Sequence, residues 1–209
     1  MSSVGCPSCG APLEIKSKSS LILVCSFCDS TLMRQNMDLS LIGKMAEIQE
    51  DGSPLQIGVT GTFCGVGFEV VGRIQLEYPS GYWNEWYLEL HDGRNGWLGD
   101  GQGQYTITFL VEKPPELPPF DKFCTGWPVT VGSETFEVTE VSRARCIAGA
   151  GELPFEVKTG YDLPVIDLAG HGTRFATIDY SEDLPLVFTG NRMEFDELSL
   201  KGLREFEGW

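Results

Sequence analysis

Four cysteines near the start of the chain have the spacing of a metal site. They form two Cys-x-x-Cys pairs separated by fifteen residues, and the four members are Cys6, Cys9, Cys25 and Cys28. This spacing is typical of zinc ribbons, in which each pair forms a tight knuckle that points two thiolates at one ion. Because four sulfur ligands leave no position for water, we expect one structural Zn²⁺ rather than a catalytic one. The alternatives for these residues are disulfides or plain buried thiols.

The segment between the two pairs must bring the knuckles together. Residues 13–16 and 21–24 are mostly apolar and enclose a short run of Ser and Lys, which predicts a β-hairpin. Gly10 follows the first pair and supplies the backbone freedom that a knuckle needs. We therefore assign residues 1–37 to a zinc ribbon.

The rest of the chain alternates apolar and polar residues with a period of two. Residues 68–78 place Phe68, Val70 and Ile74 on one face, and residues 82–90 form a second such run. Frequent Gly-containing turns separate the runs, which indicates antiparallel β-meanders. Four prolines between residues 114 and 119 break the pattern and predict a stiff linker.

The second half resembles the first in its spacing, which favours an internal duplication. Phe136 and Val138 match Phe68 and Val70, residues 152–157 match residues 85–90, and Thr177-Ile178 matches Thr106-Ile107. The fold class is therefore mainly β, with the zinc ribbon followed by two tandem, similar antiparallel β-meander repeats, barrel- or sandwich-like. We assign residues 38–116 to the first repeat and residues 117–209 to the second, and expect the two to form one unit.

Four carboxylates occupy equivalent places in this scheme: Glu85, Asp100, Glu152 and Asp167. If the repeats face each other, these groups would form a cluster that binds a cation or a polyamine, or that performs acid–base catalysis. The alternative is that each carboxylate caps a turn beside its own strand. We expect the structural role for each of them.

Aromatic side chains are the other candidates for binding. Trp86 and Tyr87 must point to opposite faces of one strand, so at least one of them is a candidate for an exposed position, and the nearby Trp83 is a further candidate. An exposed aromatic side chain on an acidic surface suits a protein partner or an organic cation. The alternative is packing in the core across neighbouring strands, and we favour it for each single residue.

No catalytic motif accompanies these residues. The two histidines, His91 and His171, lie beside turns, and no local signature pairs His171 with Cys64, Cys124 or Cys146. We predict neither a catalytic residue nor an organic cofactor, and favour a protein that is not an enzyme.

Charge and composition limit the partners. The chain has 209 residues and a net charge of −15, and residues 38–209 alone carry −16. Such a body repels nucleic acid, so a nucleic-acid-binding ribbon is disfavoured, and a partner with a basic face is expected. Without an apolar run of about 20 residues or a signal sequence, we expect a cytoplasmic protein that does not insert into membranes.

Several short motifs resemble a bacterial family of unknown function, domain-of-unknown-function family 4178. The motifs are GRI at residues 72–74, EWYL at 85–88, GWL at 96–98, GELP at 151–154 and DL at 167–168. The resemblance covers roughly residues 38–209, and an N-terminal four-cysteine ribbon is common in the family. It implies an accessory, adaptor-like role beside phage-shock-type membrane-remodelling proteins or proteins of polyamine metabolism, and it assigns no catalytic residue.

Overall fold

The computed structural model of the chain describes residues 2–36, 38–79, 81–157 and 160–206, so the predicted domain limits at residues 1, 37 and 209 lie outside it. The described chain is mainly β, as predicted, with 3-10 helices at Phe120–Lys122 and Phe195–Leu198. No helix in these ranges has the length and apolar character that crossing a bilayer requires. The strands are β1 (Ser2–Gly5), β2 (Pro12–Ile15), β3 (Ile22–Val24), β4 (Ser30–Gln35), β5 (Asp38–Lys44), β6 (Thr60–Phe63), β7 (Val66–Tyr78), β8 (Gly81–Leu90), β9 (Asn95–Gly101), β10 (Gln104–Leu110), β11 (Pro128–Val131), β12 (Glu134–Leu153), β13 (Asp162–Ala169), β14 (Arg174–Asp179) and β15 (Leu186–Met193).

The N-terminal strands carry the cysteines. β1 and β2 form a separate hairpin, and β3 pairs with β4 in an antiparallel ladder. β5 pairs with β4, so the sheet of the ribbon continues beyond the predicted limit at residue 37. β3 also pairs with the end of β12, where Leu23 lies opposite Glu152. This pairing joins the ribbon to the rest of the molecule.

Eight strands close into an antiparallel barrel. β7 to β10 form one meander and β12 to β15 form the other, and within each meander every strand pairs with the next. β10 then pairs with β15, and β7 pairs with β12, so the two meanders close on each other. The expectation of two antiparallel meanders is confirmed, and they form a barrel rather than a sandwich.

Glycine allows the close approach of backbones at both seams of this barrel. At the seam between β7 and β12, a Cβ on Gly72 would lie 1.8 Å from the carbonyl oxygen of Glu152. At the seam between β10 and β15, a Cβ on Gly190 would lie 1.8 Å from the carbonyl oxygen of Ile107. Any side chain at either position would displace the neighbouring strand, because the obstacle is backbone.

Side chains of the barrel strands alternate between the lumen and two outer cores. The lumen is lined by Ile74, Tyr87, Trp97, Cys146, Leu163 and Phe188. Segments outside the barrel cover the outer faces. The first meander is covered through Leu55, Val59 and Leu198, and the second through Leu117, Phe120 and Phe123. Both faces of most strands are therefore buried, which the sequence did not indicate.

The strand order supports a duplication but corrects the residue matches. Each meander is preceded by a short hairpin strand, β6 or β11, and the register of its first strand shifts directly after a buried valine, Val70 or Val138. Glu85 lies on β8, the second strand of its meander, whereas Glu152 lies on β12, the first strand of the other. The predicted match of residues 85–90 with residues 152–157 is therefore wrong.

The physical reason for this error is the length of β12. The strand runs for twenty residues, first along β13 and then along β7, and it ends at Leu153 instead of starting there. Its second part is rich in Ala and Gly, which carry no apolar alternation from which a strand could be predicted. By the same strand order, Asp100 on β9 and Asp167 on β13 are not equivalent either.

Candidate metal centre and barrel lumen

The structure brings the four predicted cysteines together. Their sulfur atoms all lie within 4.8 Å of one another, with 3.9 Å between Cys6 and Cys28 and 3.8 Å between Cys9 and Cys25. A tetrahedral ion with metal–sulfur bonds of about 2.3 Å would place its ligands about 3.8 Å apart. The cluster therefore fits a tetrahedral metal centre with four sulfur ligands.

Both knuckles have the same backbone geometry. The amide of Gly10 donates to the carbonyl of Cys6 at 2.8 Å, and the amide of Asp29 donates to the carbonyl of Cys25 at 2.9 Å. The residue after each pair adopts a left-handed conformation, with φ of 77° at Gly10 and 56° at Asp29. Gly and Asp tolerate this conformation better than most residues, which explains how the sequence forms these turns.

Hydrogen bonds from Ser30 prepare one ligand for a metal. The hydroxyl of Ser30 lies 3.2 Å from Cys28 Sγ, and this contact lowers the pKa of Cys28 to about 6. The thiolate is the form that coordinates a metal ion. Burial acts in the opposite direction on Cys25 in the same knuckle and raises the pKa of its thiol, so the fold favours the thiolate at Cys28 only.

The second site is a chamber in the barrel lumen, which we call the Glu85 chamber. It has a volume of about 450 Å³ and is bordered by side chains from seven of the eight barrel strands. Its aromatic walls are Tyr87, Trp97, Phe155, Tyr161 and Phe188. Leu110 and Leu186, at the end of the barrel where this chamber opens, are exposed. This size and lining are those of a small-molecule pocket.

Two carboxylates, Glu85 and Asp179, line this chamber without a basic neighbour. None of the described residues that border it is Lys, Arg or His. The indole nitrogen of Trp83 donates to Glu85 Oε1 at 3.4 Å, and the amide of Ser181 donates to Asp179 Oδ1 at 2.7 Å. No ion pair within the described ranges includes either carboxylate. Their negative charge is therefore uncompensated.

Burial perturbs the titration of these groups. Desolvation raises the pKa of Glu85 to about 7, and repulsion by Asp179 and Asp167 adds to the effect. Desolvation likewise raises the pKa of Asp179. A carboxylate in such a place either holds a proton or requires a cation.

A second chamber occupies the other part of the lumen, and we call it the Asp167 chamber. It has a volume of about 420 Å³, and its lining includes Trp83, Glu140, Ser142, Phe175 and Arg192. Desolvation raises the pKa of Asp167 to about 6, although Arg192 acts in the opposite direction. Arg192 gives this chamber a partly compensated charge, which distinguishes it from the Glu85 chamber.

The carboxylates of the other two predicted residues bond to groups outside the barrel strands. Asp100 also borders the Asp167 chamber, but its buried carboxylate accepts a hydrogen bond from Ser53 Oγ in the outer core of the first meander. Glu152 is 5% exposed and accepts hydrogen bonds from the amides of Lys16 and Ser17 at 2.6 and 3.0 Å. Glu152 therefore fastens the ribbon to the barrel. Asp100 and Glu152 thus have structural partners, but these belong to distant segments and not to a turn beside their own strand as predicted, whereas Glu85 and Asp167 line the lumen.

Trp86 and Tyr87 are both buried, which is the core position that we favoured for each single residue. Trp86 and Tyr87 are 1% and 3% exposed, because β8 is covered on both faces. Trp86 packs in the outer core, where the guanidinium of Arg73 lies 4.7 Å from its ring. Tyr87 faces the Glu85 chamber, and Trp83 borders the Asp167 chamber. Two of the three therefore belong to the lumen and not to the outer surface.

Sequence reasoning missed Asp179, Phe155 and Tyr161. Asp179 ends β14, in which Ala176 and Ile178 point to an outer core, so its position one residue after Ile178 was the only signal that its side chain points inward. Phe155 and Tyr161 follow the end of β12, in a segment without alternation. Their place in the lumen depends on the closure of the barrel.

In comparisons with known proteins, the part of the chain that matches a protein family is the barrel. No curated protein and no solved structure matches the chain. One family model, described as "Domain of unknown function (DUF4178)", matches residues 56–195. The match spans β6 to β15 and does not include the four cysteines. The chain therefore belongs to the DUF4178 family.

Proposed function

We propose that this protein is a zinc-stabilised binding protein whose barrel lumen holds an organic cation, with a linear aliphatic amine as the ligand class. The observation that carries the proposal is the Glu85 chamber, where two uncompensated carboxylates face aromatic walls. An ammonium group gains from both features, because carboxylates supply charge and aromatic faces supply cation–π attraction. The methylene groups of an aliphatic amine suit the apolar remainder of the walls.

Zinc is the metal that we assign to the cysteine cluster, with a structural role. Four thiolates at tetrahedral spacing select zinc or an iron–sulfur centre, and the Cys-x-x-Cys pairs with fifteen residues between them favour zinc. A cytoplasmic location belongs to the same proposal, since reduced thiols persist there.

We assign the lumen carboxylates to binding and not to catalysis. Cys146 carries a thiol in the lumen, and burial raises its pKa to about 12, which keeps it protonated. Desolvation likewise raises the pKa of Tyr161, which keeps its phenol neutral. Neither group is therefore prepared as a nucleophile.

Calorimetric titration of the purified protein at pH 8 tests the lumen proposal. We expect saturable binding of one molecule of a linear amine such as 1,4-diaminobutane or spermidine per chain. The uncharged 1,4-butanediol has nearly the same length, and we expect no measurable binding because it supplies no positive charge to Glu85 and Asp179. If neither amine binds, or the diol binds equally well, the proposal is wrong.

A second candidate function is that of an adaptor for a protein with a basic face. Two observations favour it: the net charge of −15, and the 68% exposed Phe27 at the tip of the second knuckle, which offers an apolar contact. A phage-shock-type membrane-remodelling protein or a protein of polyamine metabolism, in a membrane-stress or polyamine-linked system, remains the proposed partner.

The dependence of partner binding on salt concentration tests this adaptor role. In pull-downs from native lysate we expect a protein partner at low salt and its loss at high salt, because the attraction is electrostatic. Replacing Phe27 with Ser should weaken recovery at both salt concentrations. Recovery of nucleic acid in place of protein, or a partner held more tightly at high salt, contradicts the adaptor.

A further inference from the structure

The loop between β2 and β3 fastens the metal-binding ribbon to the barrel. Besides the two loop amides, the carboxylate of Glu152 accepts a hydrogen bond from Ser20 Oγ at 2.8 Å. The guanidinium of Arg34 donates to the carbonyl of Ser17 at 2.7 Å and to Ser20 Oγ at 2.9 Å. Ser17 and Ser20 are buried. The loop is therefore held in one position by groups from both parts of the molecule.

Ser19, at the tip of this loop, touches the wall of the Glu85 chamber. Its hydroxyl lies 2.7 Å from the hydroxyl of Tyr87 and 2.9 Å from Oδ1 of Asn95. Tyr87 and Asn95 both border the chamber. Apolar packing adds to this contact, since Ile22 and Met33 of the ribbon belong to the same hydrophobic cluster as Tyr87 and Trp97.

Counting protons fixes the direction of these hydrogen bonds. Oδ1 of Asn95 can only accept, so the one hydroxyl proton of Ser19 is donated to it. Tyr87 and Ser17 must then donate their hydroxyl protons to Ser19 Oγ. The amide nitrogen of Asn95 is occupied by Glu89 Oε2 at 2.6 Å, which agrees with this orientation. Ser19 thus supplies both an acceptor and a donor that hold two chamber residues in place.

We propose that the ribbon is part of the ligand site: Ser19 is a positioning residue for Tyr87 and Asn95, and it couples occupancy of the metal centre to occupancy of the chamber. The inference rests on the proposed function of the lumen. Metal binding orders the knuckles, the knuckles order the loop, and the loop orders one wall of the chamber. Coupling of two binding events is reciprocal, so the amine must strengthen metal binding by the same factor by which the metal strengthens amine binding.

Variants of Ser19 test the positioning role by calorimetry with 1,4-diaminobutane at pH 8. Ser19→Ala removes the hydroxyl and should weaken amine binding about fivefold, since Tyr87 and Asn95 each lose a partner. Ser19→Thr keeps the hydroxyl and should restore most of the affinity. Ser133→Ala, an exposed serine in the β11–β12 turn, is the matched control and should change nothing. Rescue by threonine separates positioning from a general loss of packing.

Chelator competition for zinc measures the coupling independently. In the wild-type protein, saturating 1,4-diaminobutane should raise zinc affinity severalfold, and in Ser19→Ala this rise should shrink toward none. Equal amine affinity in the wild type and Ser19→Ala, or a zinc affinity that the amine does not change, overturns this inference while leaving the lumen proposal in place. Absence of amine binding in the wild type overturns both.

Discussion

Replacing Cys25 with Ser, or removing the metal with a chelator, is expected to unfold the ribbon and to leave most of the barrel folded. Binding of structural zinc contributes about 10–16 kcal/mol to the folding of ribbon-sized peptides, which is more than a segment of this size obtains from its small core. That core consists chiefly of Leu13, Ile15, Leu23 and Leu32 beside the cysteines. Without the ion, four thiols remain at the centre of the ribbon and little else closes it.

Hydrogen exchange followed by mass spectrometry checks this prediction, after metal analysis has shown one zinc per chain. We expect residues 2–35 to lose protection, and residues 81–110 and 162–193 to keep it except around Tyr87. The end of β12 and Tyr87 should be affected to an intermediate extent, because they contact the ribbon. Cys124→Ser is the matched control, since Cys124 is exposed and lies outside the cluster.

Two results would contradict the metal prediction. One is well under one zinc per purified chain. The other is unchanged protection of β1 to β4 in Cys25→Ser, which would show that the ribbon folds without its ion.

Replacing Glu85 with Gln is expected to stabilise the protein at alkaline pH and to weaken amine binding at least tenfold. The pKa of Glu85 is raised to about 7 in the folded chain, above its value of about 4.5 in the unfolded chain, so the folded state binds the proton more tightly. Stability of the wild type must then fall as pH rises from about 4.5 to about 7. The loss reaches at most about 3 to 4 kcal/mol, because the two pKa values differ by about 2.5 and a difference of one corresponds to about 1.4 kcal/mol.

The difference between wild type and variant isolates this contribution from the other carboxylates. Denaturant unfolding should give similar stabilities for wild type and Glu85→Gln at pH 4.5, and a more stable variant at pH 8. Glu112→Gln makes the same charge change at an exposed position two residues beyond β10, and should follow the wild type. A Glu85→Gln variant that is less stable than the wild type at pH 8 would show that the carboxylate has an unrecognised stabilising partner.

The affinity for amines should rise with pH, whereas the contribution of Glu85 to stability falls. Affinity in the wild type should rise between pH 5.5 and pH 8, as Glu85 and its neighbours lose protons, and Glu85→Gln should lose tenfold or more at pH 8. Because Glu85 and Asp179 repel each other, they titrate as a pair, and the variant should also lose part of the pH dependence that Asp179 contributes. An affinity that does not change with pH would contradict a carboxylate-based site.

The sequence alone determined the features that depend on local spacing. The two Cys-x-x-Cys pairs specify their own knuckles, because the turn that follows each pair needs only a residue such as Gly10 or Asp29. Period-two alternation in residues 68–78 specified β7 within its observed bounds. Short motifs in the barrel strands also indicated the DUF4178 family, and the family match at residues 56–195 confirms it.

Only the tertiary structure decided which residues share the lumen. Glu85, Asp167 and Asp179 come from β8, β13 and β14, and they approach one another because β7 pairs with β12 and β10 with β15 across long stretches of sequence. A single register shift, such as those after Val70 and Val138, changes which side chains face inward. Strand periodicity fixes that alternate residues share a face, but not which face becomes the interior. Closure of the barrel makes that choice: Glu85 and Asp167 line the lumen, whereas the carboxylates of Asp100 and Glu152 bond to Ser53 and to the β2–β3 loop.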